Sequence, residues 1–256
     1  MERNAFAVAE SASAPYARHA STMPRRRALP ETARHDLYRN IHAGLRLCMG
    51  DALSAVGRMD ADDPADVAAV TLQVNELIVL FRGHLEKENA WIHPALEARQ
   101  PGSTTRIAHD HKDHVAAFAQ IAEDLSTLRN VAASRRAGAA RVLYRDLAAF
   151  VADNLVHMAA EEAEHNAVLW STHSDEELAS IERAIVGSIA PPLKSAYLRW
   201  IMPAIPHAER VAVLSALRAS APAEAFDATL AMLKPHLPHR DWAKLIAALT
   251  SATTVT

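Results

Sequence analysis

A single cysteine, Cys48, excludes an internal disulfide and any cysteine-rich zinc or iron–sulfur site. On a helical stripe it reads as a small core residue. Only seven glycines and few aromatics accompany long runs rich in alanine and leucine, a composition that favours closely packed helices over sheets. The near-neutral balance, net charge −3, supplies no basic footprint for nucleic acid. No continuous apolar run is long enough to suggest a bilayer span. Arg25-Arg26-Arg27 is followed by Ala-Leu-Pro instead of the apolar core of an export signal, so the expectation is a cytoplasmic protein without a membrane partner.

What the chain has in quantity is histidine, fourteen residues, and their positions carry the information. His84-Leu-Glu-Lys-Glu88 and His157-Met-Ala-Ala-Glu161 each set a histidine and a carboxylate four residues apart in a helical pattern. Both side chains then project from one face, and that face is the apolar one. Burying such groups without partners is costly, and doing so twice calls for a cause such as a shared metal centre.

The hydrophobic period predicts an all-α protein. A tail over residues 1–33 lacks sustained periodicity. A first helix starts near Glu31 and carries Leu37, Ile41, Leu45, Cys48, Ala52 and Val56 to about Gly57. Asp63 and Pro64 read as an N-cap and a first-turn proline for a second helix running to Arg99, with a kink or a local break at Pro94. A third follows Ser103-Thr104-Thr105, and a fourth spans about Ala137 to Trp170. Four such helices with short connections predict an up-down-up-down four-helix bundle over residues 34–173. Residues 174–256 read as a C-terminal extension of shorter helices punctuated by proline, opened by a capping box at Ser174-Asp-Glu-Glu177.

Each of the four long helices carries histidine in its apolar stripe: His42, His84, His111 with His114, and His157. Any one alone would be read as a hydrogen-bonded core histidine; all together, with Glu88 and Glu161, they read as a ligand set. Nitrogen and carboxylate donors without thiolate suit iron, manganese or zinc, and two glutamates suit a carboxylate-bridged pair of ions. The pattern is neither the Glu-x-x-His of ferritin-like proteins nor the His-Glu-x-x-His of metalloproteases. His93, His109, His165, His173, His207, His236 and His239 fit surface or capping positions, and Trp91 and Trp170 fit packing.

The series Tyr38-Arg-Asn-Ile-His42-Ala-Gly-Leu-Arg46, His84-x-x-x-Glu88 with Pro94, Asp110-His111-Lys-Asp-His114, and His157-x-x-x-Glu161-Glu162 resembles the hemerythrin-like (HHE cation-binding) family. The resemblance covers roughly residues 34–173. It implies a four-helix bundle enclosing a non-haem, carboxylate-bridged centre of two iron ions, with iron ahead of manganese or zinc. By position it makes His42, His84 and His157 terminal ligands and Glu88 and Glu161 bridges. The oxygen-carrying members have His-x-x-x-His on the third helix; here His111 is the preferred ligand and His114 the second candidate. They also have a five-residue step to aspartate on the fourth helix. Glu161 stands at a four-residue step and Glu162 at a five-residue one. The implied function is binding or sensing of a small ligand: oxygen, NO or peroxide. The alternatives are a di-iron oxidase, oxygenase or peroxide-decomposing enzyme, and an iron-storage or metal-stress module whose C-terminal extension binds a protein partner.

Overall fold

The computed structural model describes residues 34–253, with side chains to residue 251. The tail expected over residues 1–33, Arg25-Arg26-Arg27 and a helix start near Glu31 lie outside them. The described residues are helical throughout, with no strand among them. Helix α1 (Arg39–Arg58) begins later than the periodicity predicts, because Asp36 intervenes. Its carboxylate accepts the backbone N–H groups of Tyr38 (3.0 Å) and Arg39 (3.2 Å), satisfying donors that the first turn leaves free. Helix α2 (Pro64–Lys87) starts as its sequence predicts, with Asp63 accepting from the Ala65 N–H at 2.8 Å and Pro64 in the first turn.

At Pro94 the chain does not break. Instead, α2 passes through a π-turn (Glu88–Ile92) into α3 (His93–Arg99), and the His93 N–H bonds the Glu88 carbonyl. Proline offers no N–H and crowds the carbonyl four residues back, so widening the helix by one residue just before it keeps the helix running. After α4 (Thr105–Asn130), the last long helix repeats the device. There α5 (Ala133–Ala160) passes through a π-turn (Glu161–His165) into α6 (Asn166–Thr172), with the Asn166 N–H on the Glu161 carbonyl. No proline accompanies this second turn.

The long helices close a ring. α1 packs on α2 and α5, α2 on α4, and α4 on α5. Their shared stripe forms an apolar core that includes Met49, Leu77, Ile121 and Phe150. Phe150 meets Phe81 edge-on at 5.3 Å and Phe118 at 5.5 Å. A smaller apolar cluster of Tyr38, Ile92, Leu96, Leu169 and Leu178 lies at the other end of these helices. The polar residues sit between the two. By length and composition Pro64–Arg99 is long and apolar enough to cross a membrane, contrary to the sequence reading. No uninterrupted apolar run marks it in the sequence, because Arg82, Glu86 and Lys87 are spaced along a helix whose inner face is buried here against α1 and α4.

Helix α7 (Asp175–Ser188) opens with the expected capping box: the Ser174 hydroxyl accepts from the Glu177 N–H (3.2 Å), and the Glu177 carboxylate accepts from the Ser174 N–H (2.8 Å). Helix α8 (Pro191–Ala204) lies on α1 and α2 and enters the main core through Tyr197, whose hydroxyl donates to the Leu80 carbonyl at 2.7 Å. Gly44 and Gly83 permit that approach; a Cβ on Gly44 would lie 2.8 to 3.0 Å from Ile201, partly from its backbone. Beyond it, α9 (His207–Ser220), α10 (Ala223–Leu233) and α11 (His239–Thr253) gather a second core around Leu214, Phe226, Leu233 and Leu245. Pro206 cannot donate to the Met202 carbonyl, and the guanidinium of Arg210 does so instead at 2.7 Å while pairing with Asp241.

Candidate metal centre

The helical stripes bring His42, His84, Glu88, His111, His157 and Glu161 together in the interior, all buried. His42 is one turn beyond Tyr38 on α1, His84 and His157 close the last turns of α2 and α5, and the two glutamates open the π-turns. The carboxylates stand between two pairs of imidazoles. Glu88 directs Oε1 towards the Nε2 atoms of His84 (3.1 Å) and His42 (3.8 Å), and Oε2 towards His111 Nε2 (3.5 Å). Glu161 directs Oε2 towards His157 (3.3 Å) and His42 (3.5 Å), and Oε1 towards His111 (3.7 Å). Two groups of converging donors result, His42–His84–Glu88–Glu161 and His111–His157–Glu88–Glu161, and both carboxylates belong to both groups.

The donor set fits cations. The Nε2 atoms of these four histidines and all four oxygens of Glu88 and Glu161 are buried without a hydrogen-bond partner, and each such group costs on the order of 1–3 kcal/mol. Their separations of 3.1 to 3.8 Å suit donors arranged around ions at metal–ligand distances of about 2.0–2.2 Å. Contacts outside the cluster orient several rings. His42 Nδ1 lies 3.0 Å from Glu162, which also accepts from Arg46; His111 Nδ1 lies 2.9 Å from the side-chain oxygen of Asn89; His157 Nδ1 faces Asp110 at 3.5 Å. An imidazole whose Nδ1–H is held outside presents its Nε2 lone pair inside, as metal-binding histidines do.

Without ions, the same crowding shifts proton affinities. Burial works against protonation of His42, but the Glu162 hydrogen bond and the charges of Glu161 and Glu88 raise it to about 9. For His157 burial is likewise outweighed, by Glu161 and Asp110, and the value rises to about 10. Glu88 is lowered: burial pushes it up, and the neighbouring His84, His42 and His111 more than reverse this. The interior is thus built to hold positive charge against two carboxylates.

Residues 34–167 match the model of the hemerythrin HHE cation binding domain. The chain belongs to the hemerythrin HHE cation-binding family. No curated protein and no solved structure matches it. Within this hemerythrin domain, the two open choices in the sequence separate geometrically. Glu161 lies inside the cluster, while Glu162 is the outer partner of His42 and Arg46. His111 faces both carboxylates. His114, the second candidate on the third helix, is not brought into either group: its Nε2 is bonded outward to Asp153 at 2.8 Å, and its ring meets His157 edge-on. A three-residue step rotates the two side chains apart by about 60° around the helix, enough to turn one inward and the other aside.

The hemerythrin interior also contains residues that the sequence reading assigned to the surface or to caps. His93 and His165 are buried and converge with Glu161 in a third group, while His173 stands at the C-cap of α6, as its place near a helix end suggests. For His93 the π-turn Glu88–Ile92 is responsible: it adds one residue to a turn, so His93, five residues after Glu88, returns to the cluster's side of the helix. His165 stands four residues after Glu161, a spacing visible in the sequence as a continuation of His157-x-x-x-Glu161. Asn89 and Asp110, which contact His111 and His157, carry no comparable signal in the sequence. Trp91 is exposed and does not pack in the interior, whereas the Trp170 indole donates to the His35 carbonyl at 2.8 Å.

Proposed function

We propose that this is a cytoplasmic hemerythrin-like protein whose residues 34–173 form an up-down-up-down four-helix bundle holding a carboxylate-bridged pair of iron ions, and that it binds or senses a small ligand such as oxygen, NO or peroxide. One observation carries the reading: two groups of buried, unpartnered donors share both Glu88 and Glu161. His42 and His84 would hold one ion and His111 and His157 the other, with the glutamates bridging. A donor set of four imidazoles and two carboxylates, without thiolate, favours a first-row ion such as iron over magnesium or calcium. When bound, the iron pair supplies coordination positions and electrons for a diatomic or peroxide ligand.

The chain's own residues do the rest. Glu162 and Asn89 fix the rings of His42 and His111, so that Nε2 is presented inward, and the Asp110 carboxylate faces His157 Nδ1. The apolar clusters at either end flank the buried donors and lower their local dielectric. Optical spectra of the iron-loaded protein, recorded without and then with oxygen, test the reading. The expected result is an oxygen-dependent charge-transfer band that His84→Ala abolishes. Bound iron whose spectrum oxygen, NO and peroxide all leave unchanged would contradict it.

A further inference from the structure

His93 and His165 are not needed to complete either shared group, yet they are 7 % and 1 % exposed and each leaves its Nε2 without a partner. A ring nitrogen of each and one oxygen of Glu161 lie within 4.8 Å of one another. His93 stacks on His111 at 4.9 Å and meets His165 edge-on at 5.4 Å. The pair therefore borders the paired site, His93 by way of the π-turn after Glu88 and His165 by its four-residue step from Glu161.

Charge decides what such a position suits. Two divalent ions against the carboxylates of Glu88 and Glu161 leave the buried centre with a net positive charge. A third cation beside them, held by two neutral rings and a carboxylate already shared, would add to an uncompensated buried charge, which is strongly disfavoured. An anion would reduce it. The Tyr38 hydroxyl lies 2.8 Å from His165 Nδ1, and Tyr38 is fully buried. With the phenol donating to Nδ1, the His165 proton resides on Nε2, the buried ring nitrogen left without a partner.

We propose that His93 and His165 form a hydrogen-bond donor pair for a small anionic ligand of the metal centre, of the azide, nitrite or hydroperoxide class, with Tyr38 as the positioning residue that sets the His165 tautomer. This rests on the metal-centre reading above. It assigns the chain a preference for ligands that accept hydrogen bonds over neutral diatomics.

The test is azide titration of the iron(III)-loaded protein by optical absorption, with NO titration of the iron(II) form and an iron count for each variant. In the variant carrying both His93→Leu and His165→Leu, the iron count stays as in the wild type, azide Kd rises at least about tenfold, the scale of a charge-assisted hydrogen bond, and NO affinity is unchanged. Tyr38→Phe weakens azide but not NO. His93→Gln and His165→Gln, which keep an N–H donor, retain most of the azide affinity. Unchanged azide affinity in the double leucine variant overturns the proposal, as does loss of affinity in the glutamine variants as complete as in the leucine ones. A fall in iron count in the double leucine variant would make the two histidines ligands instead. A third metal equivalent in the wild type, lost in that variant, would make the position a cation site. Wild-type protein that binds no metal at all would sink the metal-centre reading itself.

Discussion

The outer hydrogen bonds of the histidines set His111 apart from His114. His111 has Nδ1 on Asn89 and Nε2 free inside; His114 has Nε2 on Asp153 and takes no part in either shared group. His111→Ala should therefore reduce bound metal by at least one ion per chain, while His114→Ala leaves the count unchanged; elemental analysis of the two variants checks this, and equal losses would contradict the assignment. The raised His42 and His157 give the ion-free protein a characteristic pH dependence. A histidine whose folded value lies above its unfolded value of about 6.5 stabilises fully below 6.5 and loses that contribution as pH rises through the folded value, here about 9 and about 10. The lowered Glu88 and Glu161 work oppositely: burial raises them, neighbouring histidines outweigh it, and their contribution fades as pH falls below about 4.5. Urea midpoints of the ion-free protein should fall as pH rises from about 6.5 towards 10. A midpoint constant from pH 6 to pH 10 would contradict the electrostatic account. Most of this cluster could be read from sequence, since His42, His84, Glu88, His111, His157 and Glu161 fall on helical stripes. The choice between Glu161 and Glu162 could not, because it depends on which oxygen faces inward across the bundle.

At the scale of elements, the π-turn after Glu88 explains why a fixed period misses His93, whereas His165 keeps an ordinary four-residue step from Glu161. Periodicity assumes 3.6 residues per turn. One extra residue after Glu88 changes the face of everything that follows. Pro94 signalled a disturbance, but not that the helix would widen instead of bending. The placement of α8 was equally hidden, for it depends on two glycines that look unremarkable in sequence. Gly44 in α1 meets the backbone of Ile201, whereas Gly50 in the same helix has nothing within 4 Å of where a Cβ would stand. Gly44→Ala should destabilise by about 1–3 kcal/mol through overpacking, partly offset by alanine's better helix propensity. Gly50→Ala should stabilise by about 0.5–1 kcal/mol. Denaturant melts of the pair check this, and a stabilised Gly44→Ala would show that α8 does not sit where it is described. By contrast, the caps at Asp63 and Ser174 were legible because the residues that form them are adjacent in sequence.

For the whole molecule, the predominance of helix followed directly from composition and period, and the last third falls into the short, proline-separated helices expected. What the sequence did not reveal is how closely that last third is joined to the rest: Tyr197 of α8 belongs to the main core, and Met202 of the same helix to the second. Contacts between such distant segments leave no local signature. The central claim is that one interior holds two ions bridged by Glu88 and Glu161, and the most direct test is the iron content of protein purified under iron-replete conditions, beside that of Glu161→Ala. The account predicts two irons per chain in the wild type and loss of both, or retention of at most one, in the variant. One iron or none in the wild type, or two retained without Glu161, would contradict it.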